Sequence, residues 1–276
     1  MNKSTLTTSM NLYYKIQFNL KTQMASLGDF KIHPSQYNKV HIFPNKEKNR
    51  FNRLYEKGEQ EKNYFNIPRG NKVILIGSSG VGKTNFIQNI LNKRQFPVYK
   101  IYTITGNGEQ SKEYDFIGDK KLRKYSVEKP PALEKLKHKD KILIIDDIDV
   151  SATSKHFQTW LGRVFSTISS HEGCLIILSS HSYSSIPTYI RRQSSWYGIF
   201  QSPDLHVIRR DIFGKHGCKP HEIDYLYDHI KSHYDFIVID LIPNSNSMFR
   251  LNNVLPLDPK KALKESQKEF TKTLAS

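Results

Sequence analysis

Cysteines, acidic residues and long apolar runs are all scarce in this chain, and each shortage narrows what it can be. Only two cysteines occur among 276 residues, Cys174 and Cys218, too few for a disulfide framework. Cys174 opens an apolar run and reads as a buried thiol. His216, Cys218 and His221 bring three metal donors close together, but no second cluster elsewhere completes a structural zinc site. No apolar run approaches the ~20 residues that span a bilayer. The opening MNKSTLTTSM has no apolar stretch of the secretory kind, so an intracellular setting is expected. Asp and Glu number 26 against 42 Lys and Arg, a net charge of +16. That excess predicts a polyanionic partner, either nucleic acid or an anionic membrane. A generally lysine- and asparagine-rich composition is the competing source of the same surplus. There is no internal repeat and no base-reading motif. Contacts to nucleic acid would therefore run to the phosphate backbone, with little sequence preference.

What is present is concentrated in Val73 to Leu91, VILIGSSGVGKTNFIQNIL. Four apolar β-formers, Val73 to Ile76, run into a glycine loop from Gly77 to Gly82, followed by Lys83, Thr84 and an amphipathic helical pattern. This is G-x-x-x-x-G-K-[ST] with a buried strand before it and a helix after it. The glycines let successive backbone N–H groups curl around a phosphate, and the helix N-terminus adds unpaired donors and partial positive charge. Gly77, Ser78, Ser79, Gly80, Val81, Gly82, Lys83, Thr84 and Asn85 are thus expected to bind a nucleoside triphosphate. Lys83 would reach the β- and γ-phosphates, and the Thr84 hydroxyl would ligate Mg²⁺.

Residues 1–66 are expected to form an N-terminal extension, with short strands at Tyr13–Leu20 and Val40–Phe43 and a charged linker after them. From Pro68 the pattern alternates strand and helix, the mark of a mainly parallel sheet covered on both faces. Strands are predicted at Lys72–Ile76, Val98–Ile104, Ile142–Ile145, Cys174–Leu178, Trp196–Phe200 and Phe236–Ile239. Ser111–Ile117, Lys120–Lys124 and Ala132–Lys139 read as polar helix and loop, with two lysine-rich clusters as candidate DNA contacts. A helix over Lys155–Ser169 would bury Phe157, Trp160, Leu161, Val164, Phe165 and Ile168 along one face and leave Arg163 pointing away from it. Another helix is expected over Pro220–Ser232. An ATPase domain over residues 67–257 and a basic tail over 258–276 complete the layout.

The strand Ile142–Ile145 ends in Asp146-Asp147, the second half of a nucleotide-hydrolysing site. Asp146 would hold Mg²⁺ through its water shell, and Asp147 would polarise the attacking water. An adjacent acid pair also serves to cap a following helix, as Asp149 can. The polar groups closing the next strand, Ser179, Ser180 and His181, are candidates to sense the γ-phosphate.

GSSGVGKTNFIQNIL, the acids of ILIIDD, and IILSSHSYSSIPTYIRRQ together resemble the FtsK–HerA-type genome-packaging ATPases of double-stranded DNA viruses, over roughly residues 68–250. The likeness is to the poxvirus, large-DNA-virus and virophage branch. Leu161-Gly162-Arg163 and the strand Asp235–Asp240 add to it. The resemblance implies a P-loop NTPase of the additional-strand class, and ATP hydrolysis with Mg²⁺ driving double-stranded DNA into a preformed capsid. It further implies a homo-oligomeric ring, a hexamer or pentamer, contacts with capsid proteins, and work at sites of virion assembly in the host cell. The family places an arginine in this part of the chain that reaches the neighbouring subunit's γ-phosphate; Arg163 and Arg191 both qualify. Val164 stands where relatives often carry histidine, and Ser180-His181 where a glutamine sensor is common. A helicase or helicase loader of the same superfamily, and a nucleotide-gated interaction protein, are the alternative functions.

Overall fold

Apolar β-formers arranged for burial on both faces account for most of the sheet. In this computed structural model, the described residues are Phe65, 67–93, 98–243, 245, 247–260 and Lys264. The expected strands at Tyr13–Leu20 and Val40–Phe43, and nearly all of the 1–66 extension and the 258–276 tail, lie outside them.

In chain order the strands are β1 (Lys72–Ile76), β2 (Lys100–Thr105), β3 (Leu122–Tyr125), β4 (Lys141–Asp146), β5 (Leu175–Ser180), β6 (Trp196–Ile199), β7 (Ile237–Asp240), β8 (Phe249–Leu251) and β9 (Leu255–Leu257). They form one sheet in the order β3-β2-β4-β5-β1-β6-β7-β8-β9. From β3 to β6 every pairing is parallel. β5 lies between the strand that enters the glycine loop and the strand that carries the acid pair, the additional strand expected from sequence. The fold is α/β, a mainly parallel sheet with a core on each face.

Alternation along each buried strand sends side chains to two separate cores. Val73 and Leu75 of β1 join Ile142 and Ile144 of β4 on the face covered by α1 (Lys83–Lys93), which contributes Phe86, Ile87, Ile90 and Leu91. Ile74 and Ile76 join Leu143 and Ile145 on the opposite face. That face is covered by α3 (Lys155–Arg163), reached after the short α2 (Leu133–Leu136). The six predicted side chains of the α3 stripe are all buried, contributing on the order of 9–18 kcal/mol before conformational entropy. Ser154 caps α3 by accepting from the Phe157 N–H. Beyond Arg163 the helix widens into a π-helical turn, Val164–Ile168, then resumes as α4 (Ser169–Glu172). Buried Ser169 donates from its hydroxyl to the Gly70 carbonyl, 2.8 Å away.

Several expectations change. Lys120–Lys124 does not remain helix and loop: Leu122 to Tyr125 pair with Ile101 to Ile104 as a parallel edge strand. Leu122 is buried and Arg123 exposed, a half-buried pattern that the surrounding lysines mask. The helix from Pro220 is shorter than expected, α7 (Pro220–Tyr227), and is preceded by α5 (Thr188–Arg191) and α6 (Leu205–Ile208). β7 runs antiparallel to β6, and the β8–β9 hairpin, which the sequence reading did not assign, extends that end of the sheet. A buried ion pair, Arg250 to Asp240 at 2.7 Å, ties the hairpin to β7.

Candidate active site

The parallel strands deliver their C-terminal ends to one edge, where ligands of open α/β sheets bind. Register fixes which residues meet there: Ile76 lies opposite Ser180 and Ile199, and Thr105 opposite Asp146. The Gly77 N–H donates to the Ser180 carbonyl (3.2 Å) and the Ser78 N–H to the Gln201 carbonyl (2.8 Å), so the glycine loop is moored to both flanking strands. Gly77 is required by crowding, since a Cβ there would lie 2.5 Å from Phe200 Cβ. Gly80 and Gly82 are required by conformation, with φ of +78° and +98° that glycine alone adopts cheaply. Ser78, Ser79 and Gly80 are exposed, Val81 is buried, and Thr84 and Asn85 are half-buried at the start of α1.

Lys83 is buried, and its Nζ donates to the Gly77 and Ser78 carbonyls at 2.7 and 2.8 Å. Burial pulls its pKa below the usual lysine range, against the opposing pull of Asp147 and Asp146. The ammonium is thus held by the carbonyls of its own loop.

Asp146 is buried and collects three hydroxyl donors. Thr84 Oγ1 donates to Oδ2 at 2.9 Å, Tyr114 Oη to the same oxygen at 2.6 Å, and Ser179 Oγ to Oδ1. Ser179 also accepts from the Asp147 N–H at 3.0 Å. Tyr114 is 1% exposed, and burial, followed by the charge of Asp146, raises its hydroxyl pKa well above the ordinary value. It remains a neutral donor. A threonine hydroxyl 2.9 Å from a buried carboxylate oxygen is an all-oxygen donor pair suited to a hard divalent cation, so these residues fit Mg²⁺. Among the described residues no group of three His, Cys, Asp or Glu side chains forms a metal cluster, and His216, Cys218 and His221 are not gathered into one.

Asp147 sits differently. Its φ is +61°, an uncommon conformation for a residue with a side chain, and its carboxylate is half exposed. His181 Nε2 lies 2.7 Å from Asp147 Oδ1, and His181 Nδ1 lies 3.5 Å from Lys83 Nζ. A neutral imidazole protonated on Nε2 satisfies both neighbours. The arrangement links Lys83, His181 and Asp147 in one chain of contacts beside the glycine loop.

The other predicted residues fall elsewhere. Ser180 is one residue beyond Ser179 on β5 and so faces the other way, with its hydroxyl 2.8 Å from Ser185 Oγ. Arg191 is engaged inside its own chain: it donates to Asp211 at 3.0 Å and to Thr188 Oγ1 at 2.9 Å, with its guanidinium 4.4 Å from the Tyr183 ring centre. Arg163 is exposed at the end of α3. The two arginine-bearing segments nevertheless pack together. A Cβ on Gly162 would lie 3.0 Å from Tyr189 Cε2, and Tyr189 Oη donates to the Gln158 carbonyl at 2.8 Å. Among the described residues, no arginine hydrogen-bonds or ion-pairs with Lys83, Thr84, Asp146, Asp147 or His181. Sequence reasoning missed Tyr114, which sits between polar neighbours with nothing to mark it as buried.

Residues 73–202 match the profile of the ATPase family associated with various cellular activities (AAA). No curated protein matches the chain in sequence. Among solved structures, the chain is similar to the genome packaging NTPase B204 from Sulfolobus turreted icosahedral virus 2 in complex with sulfate, at 15% identity, a TM-score of 0.45, and coverage of 68% of this chain and 97% of that one. B204, the DNA-packaging ATPase from Sulfolobus turreted icosahedral virus, gives 17% identity, a TM-score of 0.45 and coverage of 69% and 99%. The pCW3 conjugation coupling protein TcpA gives 12% identity, a TM-score of 0.45 and coverage of 72% and 65%. The matched stretch contains the glycine loop, the acid pair and His181, and the chain has the α/β P-loop NTPase fold expected from its sequence.

Proposed function

We propose that the chain is one subunit of a homo-oligomeric ring that hydrolyses ATP to drive double-stranded viral DNA into a preformed capsid. The observation that carries this reading is the uneven completeness of the site. One chain supplies the phosphate loop, the buried acid and the Asp147–His181 pair, yet among the described residues no arginine hydrogen-bonds or ion-pairs with them. Arg191 is occupied by Asp211 and Tyr183, whereas Arg163 is exposed, next to the Tyr189 contact. Arg163 is therefore the residue assigned to the neighbouring subunit's γ-phosphate. In NTPases that use such an arginine it is worth roughly 10³–10⁵ in turnover. Thr84 and Asp146 would hold Mg²⁺, which supplies charge neutralisation between the β- and γ-phosphates when bound. Asp147 orients and deprotonates the attacking water, and His181 holds that carboxylate in place.

The assignment to DNA rests on the net charge of +16 and on the motif string running from Ser179 to Arg192. Of the two lysine clusters that were candidate DNA contacts, Lys135 and Lys137 of the second are exposed, whereas the Lys120–Lys124 cluster is only partly available. Lys124 is paired with Asp115, while Arg123 and Lys120 are exposed along the β3 edge. Contacts of this kind neutralise phosphates without reading bases, and predict a steep loss of affinity with salt. Capsid proteins are the proposed further partners, at sites of virion assembly inside the host cell. Among the described residues no helix is long and apolar enough to cross a membrane.

The test is ATP hydrolysis by the full chain with and without duplex DNA, paired with displacement of a third strand from a triplex. Stimulated hydrolysis with triplex displacement and no unwinding of forked DNA is the expected result. Unwinding of the fork would favour the helicase alternative. DNA binding without any hydrolysis would favour the nucleotide-gated interaction protein.

A further inference from the structure

The phosphate end of the site is well furnished, but nothing so far accounts for the rest of a nucleotide. The sheet order constrains where that part lies. Asp146, Asp147 and His181 close β4 and β5, on one side of β1. A nucleotide whose γ-phosphate faces those residues must run in the opposite direction, towards β6 and β7. On that side one large aromatic stands out. Tyr234 is 64% exposed, and a Cβ added at Gly82 would lie 3.6 Å from its Cδ1. Its ring thus lies against the last glycine of the phosphate loop.

The turn that carries this ring is fixed. Asp235 Oδ2 accepts from the Lys231 and Ser232 N–H groups at 3.0 and 2.7 Å, and Asp235 Oδ1 accepts from Asn252 Nδ2 at 2.7 Å. Asn252 in turn accepts from the Phe236 N–H at 2.9 Å through its side-chain oxygen. Phe236 stacks on Phe200 with ring centres 4.4 Å apart, and meets Phe86 of α1 at 4.8 Å. His233 meets the Tyr234 ring edge-on at 5.2 Å. An aromatic face left in water while its backbone is pinned from three directions is a preorganised stacking surface.

Resting on the reading of Gly77–Thr84 as a triphosphate site, we propose that Tyr234 is the platform on which the nucleotide's base stacks. Stacking uses the π-face that every base has, so this contact adds affinity without discriminating strongly among bases. The β8–β9 hairpin, which supplies Asn252, acquires a role as the brace of that platform.

A second candidate seat lies nearby: a cavity of about 240 Å³ lined by Phe200, Gln201, Ser202, Leu205, Tyr227 and Ile230. It is the alternative that the experiment must separate. Calorimetric titration of the 276-residue chain with ATP, GTP and inorganic tripolyphosphate, each with Mg²⁺, provides the separation. Tyr234→Ala should weaken ATP and GTP on the order of tenfold or more and leave tripolyphosphate unchanged, and Tyr234→Phe should restore both nucleotides. Equal loss for nucleotides and tripolyphosphate, or no loss, would overturn the proposal. So would a base-dependent loss that appears in Leu205→Trp, which fills the cavity, and not in Tyr234→Ala. A wild-type protein that binds neither ATP nor tripolyphosphate would remove the underlying triphosphate site itself, a distinct failure.

Discussion

Asp146 and Asp147 are adjacent in the chain and opposite in setting. Asp146 is sealed in the protein with hydroxyls of Thr84, Tyr114 and Ser179 around its carboxylate. Asp147 is half exposed on a left-handed backbone, and among the described residues its carboxylate pairs with His181, itself 45% exposed. The first corner is finished within one chain. The second is open to whatever approaches from outside. On the proposed function, this is the contrast a site shared between subunits would show: ground-state ligands preorganised from within, and the group that completes the transition state brought by a neighbour.

The contrast is broken most severely at the arginines. Arg163→Ala should reduce ATP turnover by roughly 10³–10⁵ while leaving ATP affinity and thermal unfolding unchanged, as steady-state kinetics beside calorimetry would show. Asp147→Asn should come next, with a loss of about 10²–10⁴ in turnover. Its stability should stay within about 0.5 kcal/mol of wild type, because asparagine tolerates the positive φ at this position. Arg191→Ala should do the reverse of Arg163→Ala. It removes hydrogen bonds to Asp211 and Thr188 and should lower stability in denaturant titrations by ~1.5–3 kcal/mol. Tyr114→Phe should give the smallest effect, about 0.5–1.5 kcal/mol in the same titrations, since Thr84 and Ser179 still hold Asp146. Equal kinetic losses in the Arg163 and Arg191 variants would erase the distinction drawn between them.

The central strands, the phosphate loop and the acid pair were legible because burial on both faces leaves a continuous apolar run that ends in polar residues. The α3 stripe was legible for the related reason that six large side chains share one face. β3 was hidden because an edge strand buries only one face, and its lysines gave the segment the composition of a loop. The β8–β9 hairpin alternates apolar residues, Phe249, Leu251, Leu255 and Leu257, but each strand is only three residues long, too short for the period to stand out. Arg250 with Asp240 and Asn253 adds a polar tie that no apolar pattern marks. The roles of Ser179 and Ser180 depended on which face of β5 each hydroxyl takes. Strand register decides that, and a run of two serines does not reveal it. Arg191 fitted the motif string, but its ion-pair partner, Asp211, lies 20 residues away and emerges only with the fold.

Mixing two inactive variants tests the shared site most directly. Lys83→Ala retains Arg163 but has lost its own phosphate lysine, whereas Arg163→Ala retains an intact loop. If each site is completed by its neighbour, subunit exchange between the two should restore a measurable fraction of duplex-stimulated ATP turnover. Turnover in every mixture equal to the weighted sum of the two separate variants, with exchange verified by mixed oligomers, would contradict the account.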